Sequence, residues 1–324
     1  MPSPAQVHVD AALTNLSIGL RPENFTADRL APRVNVPKKS DKYYKYGSEQ
    51  LFLEDVRLGR GAETKGGDWS LSTDTFLCEE YGWHTYVYDV DRDNADGGLQ
   101  LESDGLVYCQ TVIERQRENR IATVYQATGS YASATQYQTL SAAQQWDNIA
   151  SASSDPQKHL SIAAKVIYGL IGRYPNTLII PRLCAQVLAL HPQVRLGKQQ
   201  SNVTNTVLEP LALPPQLFGY NVVEVTTAYN SAKRGATATI VDLWSDNVIL
   251  AYIDPNPGLK TLNFLTTFAW DRGLGVPHYA DKRREPNKRG DRIEVIEPGL
   301  DEKVTNNLAA FMIRDVLSAT ALGW

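Results

Sequence analysis

An acidic segment, DVDRDNADGG at residues 89–98, has the residue types of a metal site. Asp89, Asp91 and Asp93 have the alternating spacing of the first three ligands in a calcium loop of the EF-hand type. Such a loop also needs a glycine at its sixth position and a bidentate glutamate at its twelfth. This chain has Asn94 at the sixth position and no glutamate at the twelfth. We therefore interpret the segment as a solvated acidic linker and expect no metal ion there.

Other residues with reactive side chains lack the spacing that catalysis or cofactor binding requires. The five histidines are scattered and form no HxxxH pair that would place two ligands on one helix face. Glu79 and Glu80 are neighbours on a predicted strand, so their side chains point to opposite faces and make a poor acid/base pair. The GKQ sequence at 197–199 and the GRG sequence at 59–61 are incomplete as phosphate-binding and dinucleotide-binding loops. We expect no catalytic, metal-binding or cofactor-binding residue and no cofactor, and the protein is not expected to be an enzyme.

The composition excludes several other classes of protein. The 324 residues carry a formal charge of −4 and the pI is about 5.8, whereas a dedicated nucleic-acid binder is usually strongly basic. The longest apolar runs are too short to span a bilayer, and the first residues lack the pattern of a signal peptide, so we expect no membrane association and no export. Cys78, Cys109 and Cys184 are odd in number and far apart, which predicts reduced thiols.

The first ninety residues predict an extended arm followed by a long hairpin. Three prolines fix the backbone of residues 21–40, which favours an extended arm over a helix. After the aromatic patch KYYKYG come two strand-like runs at 50–58 and 69–90, separated by a loop that contains four glycines. A two-stranded hairpin with a polar tip buries too little surface to be stable alone. We therefore expect the arm and hairpin to be bound by neighbouring chains rather than by their own core.

The strongest helix signal covers residues 103–126, with Ser103 as a plausible N-cap. Its charged middle, ERQRENR, predicts a helix that packs on one side and is wet on the other. A loop with short helical pieces follows at 128–154, with Trp146 as its only large anchor. The other predicted elements are helices at 155–171 and 181–190 and strands at 176–180, 221–225, 248–253, 262–268, 292–296 and 303–317. Periodicity alone leaves 309–317 open between helix and strand.

Four segments, taken in order, resemble the major capsid proteins of tailed bacteriophages, which have the Hong Kong 97 capsid fold. They are PENFTADRLAPRVNVPKKSDKYYKY at 22–46, RLGRGAE at 57–63, STDTFLCEEYG at 72–82, and GRYPNTLII at 172–180 followed by Val187, Leu190, His191, Pro192 and Val194. The similarity weakens after about residue 230. Because none of these segments is a common motif and all occur in the order typical of the family, the resemblance is specific.

The resemblance implies an α+β Hong Kong 97-like fold and a division of the chain. The implied parts are an N-terminal extended arm (1–47), an extended hairpin loop (48–90), a peripheral domain with spine helix 103–126 (91–170), an axial domain with a central sheet and flanking helices (171–290), and strands returning to the peripheral domain (291–324). Only this resemblance favours a strand over a helix at 309–317.

The resemblance also implies a structural function. The chain is expected to be the major capsid protein of a tailed phage, which self-assembles from pentamers and hexamers into the icosahedral shell around double-stranded DNA. It would be found in the virion after assembly in the host cytoplasm. Expected partners are other copies of the chain, a portal, a decoration protein, and packaged DNA bound without sequence preference on the inner face. Because only about twenty residues precede Arg21, scaffolding is expected from a separate protein or from a segment already removed, and Met1 favours a separate protein. An encapsulin-like cellular compartment and a soluble enzyme are the alternatives.

Two charged segments have more than one interpretation. The basic cluster DKRREPNKRGDR at 281–292 suits pairing between subunits, contact with packaged DNA, or a solvated loop between strands. Lys65 lies in the predicted hairpin tip, where some capsids of this fold link a lysine to an asparagine of a neighbour. No asparagine or glutamate here can be matched to that reaction, so we interpret Lys65 as a soluble tip residue and expect shells without covalent links.

Overall fold

A computed structural model of the chain describes residues 25–45, 53, 56–58, 60–61, 63–66, 72–95, 100–194, 213–233, 235–258, 261–270, 272 and 278–318. The helices in these ranges are α1 (Ala27–Leu30), α2 (Asp89–Asp93), α3 (Leu101–Gln126), α4 (Pro156–Ile171) and α5 (Arg182–Leu190). The strands are β1 (Arg33–Asn35), β2 (Ser40–Lys45), β3 (Ser72–Leu77), β4 (Glu79–Tyr88), β5 (Tyr137–Thr139), β6 (Thr177–Pro181), β7 (Gln216–Leu217), β8 (Tyr220–Val225), β9 (Ala228–Asn230), β10 (Ile240–Asp242), β11 (Val248–Ala251), β12 (Leu265–Ala269), β13 (Tyr279–Glu285), β14 (Gly290–Val304) and β15 (Ala310–Arg314).

A five-stranded sheet is built around the long strand β14. β4 pairs with β14 on one side, β13 and β12 pair with successive parts of its other side, and β1 adds to β12 in parallel. Helix α3 packs on this sheet through Leu106, Cys109 and Ile113, which meet Ile293 and Val295 of β14. The sheet and the first half of α3 therefore share one small core.

A six-stranded sheet forms the second layer, in the order β5-β15-β11-β6-β8-β7. Every residue of β6 and of β11 is buried, as expected for central strands covered on both faces. Helices α4 and α5 cover this sheet, and Trp146 is buried in the same core. The prediction that Trp146 anchors the loop before α4 is therefore confirmed.

The ends of the helices explain two outcomes of the sequence reasoning. Asp155 caps α4 by accepting a hydrogen bond from the backbone N–H of Lys158, and Pro156 occupies the first turn, as predicted. Helix α3 has the predicted extent but starts two residues earlier, at Leu101. Ser103 therefore lies inside α3 and is not its cap; Gln100 occupies the cap position without a side-chain hydrogen bond.

Two groups of late strands pair with partners that their order in the chain does not reveal. The predicted axial range 171–290 includes β12 and β13, which pair with β14 in the five-stranded sheet. The predicted return segment 291–324 includes β15, which lies between β5 and β11 in the six-stranded sheet. The preference for a strand at 309–317 is confirmed by β15. Strand pairing is decided by tertiary contacts, and local periodicity does not reveal which sheet a strand joins.

The arm differs from the predicted extended segment. Residues 27–30 form the single helical turn α1, and Pro32 follows shortly after its end, where a proline is tolerated. Ala27, Leu30 and Ala31 are almost fully buried in the core of their own chain, and β1 pairs with β12. The expectation that neighbours rather than its own core hold the arm is therefore wrong for residues 26–36.

The hairpin is present, with a different base from the predicted one. Strands β2 and β3 pair antiparallel from Ser40 opposite Leu77 to Lys45 opposite Ser72, so Tyr43 and Tyr44 of the aromatic patch lie in a strand. The predicted strand at 50–58 lies largely outside the described residues, and residues 53 and 56–58 are not in a strand. The predicted run 69–90 divides into β3 and β4 at Cys78. None of the described helices is long and apolar enough to cross a membrane.

Candidate functional site

Charged side chains from the arm, α3 and β14 meet in the interior of the protein. We call this set the buried charge cluster; its members are Asp28, Arg33, Glu114, Arg117, Glu118, Arg120, Glu297 and Glu302. Arg117 and Glu118 have no exposed surface, Glu297 is 1% exposed and Glu114 is 2% exposed. Buried charges are costly unless they are paired, so their partners determine how these segments fit together.

The sequence places these charges inside because the buried face of α3 continues through its charged middle. Leu106, Cys109 and Ile113 start a row of buried residues at spacings of three and four, and Arg117 and Ile121 extend the same row. The prediction of a helix that packs on one side and is wet on the other is confirmed, but the charged residues Glu114, Arg117 and Glu118 lie on its packed side, which the sequence reasoning did not anticipate. Arg115, Gln116 and Asn119 face solvent.

Arg117 links three separate parts of the chain. Its Nη1 lies 2.7 Å from Oδ1 of Asp28 in the arm, and its Nη2 donates to Oγ1 of Thr267 on β12 at 3.4 Å. The carboxylates of Glu114 and Glu302 lie 3.9 and 3.8 Å from its guanidinium. A single guanidinium thus joins the arm, α3 and the sheet.

Arg33 forms the second link between the arm and the sheet. Its guanidinium lies 3.0 Å from Asp28, 3.4 Å from Glu297 on β14 and 4.0 Å from Glu114 on α3. Burial by itself lowers the pKa of Arg33, but the attraction of Glu297, Asp28 and Glu114 outweighs this effect and leaves the pKa raised. Arg33 therefore stays charged in the interior.

Glu118 binds the start of α1. Its carboxylate accepts hydrogen bonds from the backbone N–H of Thr26 at 3.2 Å and from the Thr26 hydroxyl at 2.6 Å. Burial raises the pKa of Glu118, and these hydrogen bonds only partly offset that rise. Near the other end of α1, the hydroxyl of Tyr125 donates to the carbonyl of Leu30 at 2.8 Å. Helix α3 therefore holds α1 by polar contacts at both ends.

Arg120 and Glu302 make the most regular pair of the cluster. Nε and Nη2 of Arg120 each donate to one carboxylate oxygen of Glu302 at 2.8 Å, the bidentate geometry that suits a guanidinium. The same guanidinium lies 3.8 Å from the ring centre of Tyr81 on β4. This pair fixes α3 against β14 and β4 together.

The cluster has more acidic than basic groups. Five carboxyl groups face three guanidinium groups, an excess of two acids, and Asp28 is the only one of these eight side chains that is substantially exposed. Burial raises the pKa of Glu297, the repulsion of Glu114 raises it further, and the three arginines only partly counteract this. The arrangement is that of a structural clamp on the arm.

The basic cluster at 281–292 is a strand hairpin rather than a solvated loop. β13 and β14 pair from Tyr279 opposite Ile296 to Glu285 opposite Gly290, with a turn at 286–288. Arg284 donates to both carboxylate oxygens of Asp89, at 2.5 and 2.6 Å. The aspartate at the start of the acidic linker is thus a partner of Arg284.

Further ion pairs tie this hairpin to α2 and α3. Lys282 lies 2.6 Å from Glu102, and Arg92 lies 2.6 Å from Asp291 and 3.1 Å from Glu102. Residues 89–93 of the predicted acidic linker form the short helix α2, and its Asp89 and Arg92 pair with the basic cluster of the same chain, while residues 96–98 lie outside the described residues. Within the described parts of the chain, no group of three or more histidine, cysteine, aspartate or glutamate residues is placed to hold a metal ion.

The cysteines and His191 lie at structural positions. All three cysteines are buried free thiols, which agrees with the predicted reduced state, and burial raises the pKa of Cys78 and Cys109 to about 11. His191 follows the last residue of α5 as its cap, as expected from its position in the sequence. Burial lowers the pKa of His191, so the neutral form is favoured.

Sequence comparison finds relatives among phage shell proteins. No protein-family model matches the chain. The chain is 28% identical over 247 residues to the "Major capsid protein" of Burkholderia phage BcepMu, which covers 76% of each chain. It is 26% identical over 254 residues to the "Major capsid protein" of Pseudomonas phage JBD67, which covers 78% of this chain and 79% of that one.

Solved structures share the fold over nearly the whole length. A phage-related protein from Bordetella bronchiseptica has a TM-score of 0.72 at 20% identity and covers 96% of this chain and 99% of that one. A chain of the capsid of cyanophage P-SCSP1u has a TM-score of 0.61 at 12% identity and covers 97% and 92%. An encapsulin from Synechococcus elongatus has a lower TM-score of 0.51 at 9% identity and covers 98% and 92%. The fold is therefore common to phage capsids and encapsulins, and the sequence relatives lie on the phage side.

Proposed function

We infer that the subunits of this chain assemble as pentamers and hexamers of an icosahedral shell around double-stranded DNA. The premise is that the chain is a major capsid protein of the tailed-phage type, with the α+β Hong Kong 97-like fold, and forms the shell of the phage head. The protein belongs to the virion and is a structural protein rather than an enzyme. An encapsulin-like compartment would use the same fold, but the sequence relatives favour the phage shell.

The two sheets suggest the domain division within the subunit. We assign the five-stranded sheet and α3 to the peripheral domain, with α3 as the spine helix. We assign the six-stranded sheet with α4 and α5 to the axial domain. The support is that Leu106, Cys109 and Ile113 of α3 pack in a core with the five-stranded sheet, separate from the large core of the other sheet. This proposed division differs from the continuous ranges expected from the sequence.

The observation that carries the proposal is the exposure of apolar residues between β2 and β3. Leu53 is 101% exposed, Val56 is 82% exposed and Leu58 is 50% exposed, and Leu53 and Val56 are the two most exposed of the large apolar side chains in the described residues. Neighbouring apolar side chains left in water usually indicate an interaction surface. A protein that assembles with itself offers other copies of the chain as the partner, so this segment is proposed to lie on a neighbouring subunit.

The buried charge cluster has a corresponding role in this proposal. It holds residues 26–36 against α3 and the five-stranded sheet. The next strands, β2 and β3, pack on the same sheet through Tyr43 and Phe76, which contact Phe268 of β12, so the segment between β2 and β3 starts from a fixed base. A separate scaffolding protein, a portal, a decoration protein and non-specific contact with packaged DNA complete the proposed set of partners.

The test is assembly of the purified full chain, followed by sedimentation velocity. We expect the wild-type protein to form particles far heavier than its 35.9 kDa subunit. Deletion of residues 53–66, which removes Leu53, Val56 and Leu58, should leave a folded subunit with an unchanged circular dichroism spectrum that assembles poorly. Deletion of residues 131–136 provides the comparison for loss of folding, because Tyr131 and Gln136 are buried and this deletion should lower the stability of the fold itself. A 53–66 deletion that builds normal shells would contradict the proposal.

A further inference from the structure

Exposed aromatic side chains gather at one end of the six-stranded sheet, where β6 begins. Tyr168 is 46% exposed and Tyr174 is 64% exposed, and their rings stack with centres 4.5 Å apart and planes within 19°. Beside them, Nη1 of Arg173 donates to the hydroxyl of Tyr252 at 3.0 Å. We call these four residues the tyrosine surface.

The tyrosine surface has the composition of a binding site for a protein. Tyrosine and arginine are over-represented among the residues that contribute most to the affinity of protein interfaces. Since Tyr168 and Tyr174 already stack on each other, and Arg173 is already held by Tyr252, little conformational freedom remains to be lost on binding.

A groove lies near the other end of β6. It has a volume of about 390 Å³ and is lined mainly by apolar residues; its lining includes Pro181, Leu183, Val241, Trp244 and Leu317. Asp242 and Asp246 also line the groove, and Asp242 is exposed. We call this cavity the β10 groove, because Val241 and Asp242 belong to β10, whose residues are exposed.

The two surfaces complement each other in shape and charge. The tyrosine surface projects large aromatic rings next to a cation, whereas the β10 groove is apolar with carboxylates in its lining. They are separated by the five residues of β6, roughly 16 Å along the strand, so one subunit cannot join them within itself. Contacts between different surfaces of successive copies form a ring when the rotation closes.

We propose that the tyrosine surface of one subunit packs into the β10 groove of the next copy of this chain within a pentamer or hexamer. Arg173 would face Asp242 of the neighbouring copy, and Tyr174 would fill the apolar part of the groove. This inference rests on the proposed function, because it assigns the partner within the shell that the chain forms.

A charge exchange tests the contact. Arg173→Asp and Asp242→Arg are made singly and together, and the concentration needed for assembly is measured by sedimentation velocity. Each single variant should raise the concentration needed for assembly about tenfold, since the loss of one important interface side chain typically lowers affinity by about that factor. The double variant should recover most of the loss, because the opposite charges face each other again.

Two further variants separate the contact from folding. Tyr174→Ala should weaken assembly about tenfold while the subunit keeps its melting temperature, since the ring is mostly exposed. The control is Tyr108→Ala, which removes a ring that is 49% exposed on α3, outside both proposed surfaces, and should assemble more readily than Tyr174→Ala.

Several results would overturn the inference. The first is assembly of the single charge variants and of Tyr174→Ala at the same concentration as the wild type. The second is a double variant that needs as high a concentration for assembly as either single variant. The third is variants that form normal shells but retain less DNA, which would make the tyrosine surface a DNA contact. A wild-type chain that forms no particles would instead overturn the proposed function, and this inference with it.

Discussion

Replacement of Arg117 by leucine removes the central cation of the buried charge cluster. Arg117 has no exposed surface and lies within 4 Å of carboxylates from the arm, from α3 and from β14. Leucine fills part of the volume and keeps the helix propensity of α3. The main effect of Arg117→Leu is therefore to leave buried carboxylates without one of their cations.

The expected loss of stability follows from what each carboxylate retains. Removing one partner of a buried ion pair typically costs about 3–5 kcal/mol. Here Glu302 keeps its bidentate bond to Arg120, and Asp28 is 41% exposed and regains water. We therefore expect a decrease of about 3 kcal/mol in the free energy of unfolding, at the lower end of that range. This is a large part of the roughly 5–15 kcal/mol that stabilises a domain.

The measurement is urea unfolding of the unassembled subunit, followed by circular dichroism. The control is Arg115→Leu, two residues away on the exposed side of α3, which should change the free energy of unfolding by less than about 0.5 kcal/mol. Limited proteolysis provides a second reading, because release of the arm in Arg117→Leu should make residues 26–36 cleavable before the rest of the subunit.

A loss below about 1 kcal/mol for Arg117→Leu would refute this reasoning, because exposed ion pairs have values of that size. Equal losses for the Arg117 and Arg115 variants would refute it as well, since the effect would then follow from charge on the helix rather than from burial.

Three further predictions concern the five-stranded sheet. Burial raises the pKa of Glu297 in the folded state above the pKa of about 4.3 in the unfolded chain. The folded protein therefore loses stability as the pH rises between these two pKa values, because Glu297 must give up its proton in the interior. Calorimetry from about pH 4 to 8 should show the melting temperature of Glu297→Gln rising relative to that of the wild type. A Cβ at Gly290 would lie 2.7 Å from the carbonyl oxygen of Val87, so Gly290→Ala should lower the free energy of unfolding by about 1–3 kcal/mol in urea titration, and an unchanged midpoint would contradict the pairing of β4 with β14. Arg284→Glu should lower the melting temperature of the subunit, because it places an anion beside the carboxylates of Asp89 and Asp291 in the same chain. The control Arg283→Glu should leave the melting temperature unchanged, since the Arg283 side chain is 69% exposed. Equal melting temperatures for the two variants would show that Arg284 has no intrachain role.

Local patterns in the sequence were sufficient to predict the main helices and the type of most strands. The apolar spacing in 103–126 and the Asp-Pro start at 155 predicted α3 and α4 nearly residue for residue. These patterns are reliable because helix periodicity and capping depend on residues that are close in the sequence.

The sheets could not be predicted in the same way. The apolar spacing of residues 309–317, which contain strand β15, fits a helix and a strand equally well, and only the resemblance to phage capsid proteins favoured a strand. Its two neighbours, β5 and β11, are separated from it by up to about 170 residues. Such pairing depends on the whole fold, so the order of the elements along the chain does not show which strands share a sheet.

The buried charge cluster was missed because charged residues were taken as a sign of exposure. Arg117 is buried only because Asp28, 89 residues earlier, reaches it in the folded chain. A usable signal was nevertheless present: the row formed by Leu106, Cys109 and Ile113 reaches Arg117 and Ile121 without a break in spacing. Continuity of that row predicts a buried charge, and a buried charge predicts a partner from elsewhere in the chain.

Electron cryomicroscopy of the particles formed by the full chain tests the central claim most directly. The account predicts closed icosahedral shells of pentamers and hexamers, with residues 26–36 of each subunit packed on its own helix α3 and residues 53–66 lying on a neighbouring subunit. A protein that remains monomer to tetramer under all assembly conditions, or shells in which residues 53–66 contact only their own subunit, would contradict it.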